Sequence, residues 1–357
     1  MKANPFNPTF GDIPTLFLDK DQQVKKLTTL IQNSTFARSF FITGVRGSGK
    51  TAFLTRVSRN FQNDSNCYTI DLLNKEGILT SLARQLYELS NPKTTQIFDS
   101  IKSISLGGIS ISRDTEVPNV DQMLDHLMTH IKEQHKYVVI TIDEVTNSKQ
   151  IRDFAQVFNA LKRKSYPIFV IMTGLPDLVL DIQNDEKLTF LLRSEKINMT
   201  PLSIADISIN YMQVFNCSFE DAGKLAKMTL GYSYAFQLLG YLIFEKLAEH
   251  PFTSSLINKI TPIYQSFLFE NAYQKIFISL SELDRQYLIA INGHHKLIEV
   301  GKIMKKDKVF VSQYRRRAIE RRLVHPSGYG YVDYTLPFFN QYINQIQNPD
   351  SPYYLGY

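Results

Sequence analysis

The sequence predicts a three-part fold: a doubly wound α/β domain on a parallel sheet, a small helical domain, and a terminal unit of short helices closed by a β-hairpin. Three observations carry that reading. The apolar run Phe40-Phe41-Ile42-Thr43 is followed at once by Gly44-Val45-Arg46-Gly47-Ser48-Gly49-Lys50-Thr51 and then by a helical pattern to about Phe61. A second run, Tyr137-Val138-Val139-Ile140-Thr141-Ile142, ends in Asp143-Glu144, as a strand covered on both faces does. Beyond about residue 200 the strand-like runs stop, and helical periodicity continues until a Gly-containing hairpin pattern near the C-terminus.

At 357 residues the chain is too long for one typical domain, so two or three are expected. Hydrophobic residues at 43% and aromatics at 12% suffice to fill ordinary cores and argue against a disordered chain. Cys67 and Cys217 lie far apart without metal-ligand spacing, which points to buried thiols in a cytoplasmic protein rather than a disulfide framework or a zinc site. The start, Met1-Lys2-Ala3-Asn4-Pro5, lacks a secretory pattern, and no apolar stretch approaches the ~18 residues of a membrane span, so no membrane partner is expected. The formal charge of +6 permits a nucleic-acid partner without selecting one; the placement of the charge decides.

In chain order, residues 1–18 read as an extended lead-in with Pro5, Pro8 and Pro14, which Phe6, Phe10 and Phe17 could pin to the body. Val24, Leu27, Leu30 and Ile31 then recur at helical spacing. A strand over 39–43 precedes the Gly-rich loop and its helix. Cys67 to Leu72 is a second strand, and Ile78, Leu79, Leu82, Leu86 and Leu89 mark a helix over 76–90. Ile104 to Ser112, with Gly107-Gly108 at its centre, predicts a small inserted hairpin. A helix over 120–134, the strand from Tyr137, a helix over 150–164 and the strand Ile168-Phe169-Val170-Ile171-Met172-Thr173 complete the alternation. Helices are then expected over 203–216, 219–229, 232–249 and 253–271; the third is nearly apolar all round, as a buried helix is. Three short helices and a hairpin tipped by Gly328 and Gly330 follow, and the residues past 345 read as a loose tail.

The loop carries the first chemistry. Its pattern, G-x-x-x-x-G-K-T between a strand and a helix, lets backbone N–H groups of Gly44 through Thr51 wrap phosphates where the helix dipole is positive. Lys50 is then the β/γ-phosphate contact and Thr51 a magnesium ligand, so ATP and Mg²⁺ are the expected cofactors. Arg46 reads as a surface residue near the site entrance. Asp143 can hold Mg²⁺ directly or through water, and Glu144 is the candidate general base for water attacking the γ-phosphate. Thr173 ends the next strand, where its hydroxyl could meet the γ-phosphate or that water. Arg193 has two readings: stabilisation of transferred charge, from the same or a neighbouring copy, or an ordinary salt bridge with Glu195 or a nearby carboxylate.

The densest positive run is Ser312 to Leu323, with Arg315, Arg316, Arg317, Arg321 and Arg322 expected to face outward and Tyr314, Ile319 and Leu323 inward. Helix, turn, helix, hairpin is the order of a winged helix, which would place the second helix in a DNA major groove. Lys302, Lys305, Lys306 and Lys308 enlarge the same area. The surface suits duplex DNA, a solvated basic face or a protein client; His294-His295 reads as a polar turn.

With these residues in hand, the chain resembles the AAA+ superfamily, in particular the archaeal-type and STAND-like ATPases related to origin-recognition and replication-initiation proteins. Gly44–Thr51 matches its Walker A motif and Val138–Glu144 its Walker B motif; Thr173 falls at sensor 1 and Arg193 near the finger arginine. The resemblance covers roughly residues 10–345 and implies an α/β P-loop NTPase (AAA+) core over 19–200, a helical lid over 201–275, a winged-helix domain over 276–345 and a tail over 346–357. It further implies ATP hydrolysis that controls DNA engagement or assembly into a homo-oligomer, or a signalling switch acting on protein. Two departures stand out. The Gly-Arg pair common upstream of the loop is replaced by Leu16-Phe17-Leu18-Asp19-Lys20-Asp21, and the sensor-2 region, Gly231 to Gln237, offers no arginine. The second departure implies slow hydrolysis.

Overall fold

The computed structural model describes residues 3–9, 11, 13–18, 20–90, 120–248 and 251–357; the hairpin expected at 104–112 lies outside the described residues. The chain forms two compact units. One comprises Gln22–Thr43 and Lys50–Asn198, the other Met1–Asp21, Gly44–Gly49 and Met199–Tyr357.

The first unit is built on five parallel strands: β1 (Arg38–Thr43), β2 (Cys67–Leu72), β3 (Tyr137–Ile142), β4 (Ile168–Gly174) and β5 (Glu195–Asn198), in the order β2-β3-β4-β1-β5. α1 (Asp21–Gln32) precedes the sheet; parallel strands need crossovers, and α2 (Lys50–Gln62), α3 (Ile78–Ser90), α4 (Val120–Glu133), α5 (Lys149–Arg163) and α6 (Pro176–Asn184) supply them, with a 3₁₀ segment at Glu186–Arg193. Strands covered on both faces must be apolar throughout, and Phe40, Phe41, Ile42, Val138, Val139, Ile140, Val170 and Ile171 are all fully buried. Register brings the carboxyl ends of β3 and β4 level, with Ile142 opposite Met172.

β5 carries no apolar run and was not expected. It is a polar edge strand, and side-chain pairs fix it to β1: Arg38 to Glu195 at 2.6 Å, Ser39 with Ser194 at 2.6 Å, and Thr43 donating to Asn198 at 2.7 Å. Glu195 thus pairs with Arg38, and among the described residues no ion pair between Arg193 and Glu195 is found.

The second unit holds α7 (Ile204–Phe215), α8 (Phe219–Lys227), α9 (Ser233–Leu247) and α10 (Ser254–Leu268), which runs through a π-helical turn, Phe269–Tyr273, into α11 (Gln274–Ile278). α12 (Glu282–Ala290), α13 (Leu297–Met304) and α14 (Lys308–Glu320) lead to the antiparallel hairpin β6 (Val324–Gly328) and β7 (Tyr331–Tyr334), and α15 (Phe339–Gln347) closes the chain. One apolar core runs through all of it. As its composition requires, α9 buries every residue from Tyr234 to Gly240. Phe6 of the lead-in packs over Gly240, where any Cβ would collide with its ring, and against Phe215 and Phe236.

The C-terminal residues are not loose. Beyond α15, the Tyr353 hydroxyl meets Ser266 and Glu270 at 2.9 Å each, and Tyr357 accepts from Arg285 at 2.7 Å while meeting Phe277 edge-on. Two aromatic anchors outweigh the Pro and Asn content that suggested a free tail.

Candidate functional site

The loop between β1 and α2 alternates backbone handedness: Gly47 (φ +76°) and Gly49 (φ +85°) are left-handed, a conformation costly to any residue with a Cβ. Such alternation lets successive amides converge on an anion. Ser48 Oγ is buried with no hydrogen-bond partner among the described residues, an orphan that a phosphate oxygen would satisfy. The loop runs directly into Lys50, the first residue of α2.

Within the sheet unit, the next residue meets the end of β3. Thr51 Oγ1 donates to Asp143 Oδ2 at 2.7 Å, and Thr173 Oγ1 donates to Asp143 Oδ1. Thr173 is fully buried at the end of β4, where its hydroxyl fixes Asp143 and accepts the Glu144 amide at 3.1 Å. Glu144 is left-handed (φ +52°), uncommon for a residue with a side chain. Two acceptors hold that amide, Thr173 Oγ1 and Asp143 Oδ1 at 3.1 Å, and Asn74 Nδ2 donates to the Glu144 carbonyl at 3.1 Å. The backbone is pinned while the Glu144 side chain stays exposed.

Beside this carboxylate lies a cleft of about 240 Å³ lined by Thr51, Thr55, Asp71, Thr141 and Asp143. Asp71, at the end of β2, accepts from Ser58 at 2.9 Å and from Thr141. Neither Asn74 nor Asp71 stood out in the sequence; a lone Asn or Asp after a strand is ordinary, and only the strand order brings them beside β3. Leu54, Leu72 and Leu73 also line the cleft, and the side-chain polar atoms that face it are oxygens, the donors a hard divalent cation prefers. Arg46 is exposed in the loop, and Arg193 is exposed at the end of the 3₁₀ segment.

The sequence model of an ATPase domain predominantly from Archaea matches residues 17–207. The chain belongs to this ATPase family. Among solved structures, it is similar to the Walker-type ATPase PABY2304 of Pyrococcus abyssi, at 15% identity and a TM-score of 0.58, over 92% of this chain and 96% of that one. It is also similar to the Aeropyrum pernix ORC2 protein in ADPNP–ADP complexes (10% identity, TM-score 0.48, covering 95% and 96%). The Aeropyrum pernix ORC1 protein in complex with DNA is a third (11% identity, TM-score 0.45, covering 98% of each). At 15% identity the likeness to the Pyrococcus abyssi ATPase concerns the fold alone. No curated protein matches the chain. The protein is therefore a nucleotide-binding ATPase. Among its described residues no helix is long and apolar enough to cross a membrane.

A second sequence model, for a domain of unknown function, matches residues 270–343 of this ATPase. Here the structure corrects the expected basic face. Arg317 and Arg321 both turn inward onto Asp284 of α12, at 2.8 and 2.9 Å. Arg322 donates to the Met199 carbonyl at 2.9 Å, and Arg315 is half-buried with its Nη2 at 3.5 Å from the Tyr331 carbonyl. Of the five arginines only Arg316 stands exposed. The reason is the helical period: residues 314, 318 and 321 share the face packed on α12, so neighbouring arginines flank that seam. Lys302, Lys305, Lys306 and Lys308 are exposed, together with Gln313, Ile298, Ile303 and Val309. His294 stacks on Tyr331 with ring centroids 4.5 Å apart and pairs with Asp333 at 3.0 Å, as a structural turn residue. No metal-binding cluster of His, Cys, Asp or Glu is found among the described residues.

Proposed function

We propose that this ATPase hydrolyses ATP with Mg²⁺ and uses the bound nucleotide to control what its terminal domain engages. The observation that carries the reading is the Thr51–Asp143–Thr173 linkage, which unites the residue after the loop lysine with the carboxylate ending β3. In this reading Gly44 to Lys50 cradle the phosphates, and Lys50 neutralises charge on the β- and γ-phosphates. Thr51 and Asp143 would hold Mg²⁺, which when bound supplies charge neutralisation to the phosphates. Glu144, exposed on a pinned backbone, takes the proton of the attacking water. Thr173 acts through Asp143 and Glu144, and Arg193 meets developing charge from a neighbouring copy.

The core (19–200), lid (201–275) and winged-helix domain (276–345) would then work as sensor, lever and effector. Duplex DNA is the effector's ligand in the first reading, held by Lys302, Lys305, Lys306, Lys308 and Arg316. A protein client is the second, favoured by the inward turn of Arg317, Arg321 and Arg322 and by exposed Ile298, Ile303 and Val309 among those lysines.

ATP turnover by Glu144→Gln tests the chemistry. Expected is a fall in kcat of at least about a hundredfold, the typical share of a general base, with nucleotide affinity retained. Turnover equal to the wild type would remove Glu144 as the base.

A further inference from the structure

The lid helix α9 starts without a side-chain cap. Its first turn must therefore satisfy its amides elsewhere, and the phosphate loop supplies one acceptor: the Tyr234 N–H donates to the Gly47 carbonyl at 3.1 Å. The two residues before it reach the same loop with side chains. Tyr232 Oη donates to the Arg46 carbonyl at 2.7 Å, and Ser233 Oγ donates to the Ser48 carbonyl at 3.2 Å. Three consecutive residues of the lid thus hold three consecutive carbonyls of the loop, all within one compact unit.

The chemistry of the amide makes this more than packing. A trans peptide directs its N–H opposite to its carbonyl, so each held carbonyl fixes the following N–H in the opposite direction. An amide whose oxygen accepts a hydrogen bond is also polarised into a better donor. The Ser48 N–H, paired with the Gly47 carbonyl, turns back to Val45 at 3.2 Å. The other two are the amides of the left-handed glycines, Gly47 and Gly49, and their partners are the carbonyls that the Tyr232 and Ser233 hydroxyls hold. Gly47 is also the point of closest approach: a Cβ there would overlap the Tyr232 hydroxyl and lie 2.9 Å from Cζ. Burial pushes the Tyr232 pKa up, which keeps this hydroxyl a neutral donor.

We infer that Tyr232 and Ser233 are positioning residues for the nucleotide: from the lid, their hydroxyls orient and polarise the Gly47 and Gly49 amides toward its phosphates. The inference rests on the reading of this loop as the phosphate cradle. It gives the lid a grip on the nucleotide through the loop's backbone, in a segment that offers no arginine.

Calorimetric titration of the full chain with ATP, ADP and inorganic tripolyphosphate tests it. Tyr232→Phe, which keeps the buried ring, and Ser233→Ala are each expected to raise Kd for all three ligands by about three- to tenfold, the worth of one hydrogen bond. The equal effect on tripolyphosphate marks the cradle, and unchanged stoichiometry separates weaker binding from partial unfolding. Wild-type Kd values in Ser233→Ala and in folded Tyr232→Phe would overturn the inference; should Tyr232→Phe not fold, Ser233→Ala alone decides. A wild type that binds none of the ligands, or Lys50→Ala binding as tightly as the wild type, would instead overturn the cradle reading.

Discussion

Thr173 shows how much of the chemistry turns on one hydroxyl. It donates to Asp143 and accepts from the amide of left-handed Glu144, so one oxygen sets both the carboxylate and the backbone of the next residue. Thr173→Val keeps the shape and removes both bonds. We predict a loss of about 1–3 kcal/mol in stability, from groups left unpaired in a buried site. The kcat for ATP should fall at least tenfold while nucleotide Kd changes less than threefold, because the loop itself is untouched. A lower melting temperature with unchanged kcat would make Thr173 structural only. The residues proposed for the chemistry, Gly47, Gly49, Lys50, Thr51, Asp143 and Glu144, stand out in the sequence because phosphate and magnesium would demand their types and spacing. Asn74, which holds the Glu144 carbonyl, does not, since nothing local to β2 says which strand lies beside it.

Among the elements, β1 to β4 and the helices α2 to α5 and α7 to α9 were read within about two residues, because burial on a repeating face dictates their sequence, whereas α6 and α15 were not read. β5 escaped because an edge strand held by Arg38–Glu195, Ser39–Ser194 and Thr43–Asn198 needs no apolar run. α14 was found, but its exposed face was misassigned: a charge run looks solvated until its partner is known, and Asp284 sits 33 residues before Arg317 in the chain. The side chain of Asp284 is only 7% exposed and receives two guanidinium groups, so its loss strands buried charge. Asp284→Ala is predicted to cost about 3–5 kcal/mol by thermal or urea unfolding, and Arg316→Ala, on the exposed face, under about 0.5 kcal/mol. The turn that leads into this helix supplies the test of the DNA reading. Duplex binding should weaken with salt, and Lys305→Ala with Lys306→Ala should lower the log–log slope by about 0.9 per lysine. Should the duplex not bind even at low salt, the protein-client reading takes its place.

For the whole molecule, the compact units do not follow chain order. The loop Gly44–Gly49 clusters with the lid and the terminal helices, and the sheet unit resumes at Lys50. Packing in that unit extends past the lid: Met199 lies beside Gly44, and Arg322, after α14, holds the Met199 carbonyl. No local pattern could have announced this, since it depends on which surfaces meet after folding. Arg193 belongs to the sheet unit, exposed at the end of the 3₁₀ segment, and Glu195 pairs with Arg38. An exposed arginine at this place suits a neighbour's nucleotide, and complementation measures that directly. Arg193→Ala keeps Lys50, Asp143 and Glu144 but gives nothing to a neighbour; Glu144→Gln keeps Arg193 but cannot turn over its own ATP. Each variant alone should hydrolyse at least about a hundredfold slower than wild type. Mixed in equal amounts, about one quarter of sites would pair an intact Glu144 with a neighbour's Arg193 if copies assemble head to tail at random. Recovery of about that fraction of wild-type turnover, with ATP raising the mass in light scattering, is the expected result. A mixture no faster than its parts, or a monomer at concentrations where ATP turns over, places the arginine's role outside a neighbour's site.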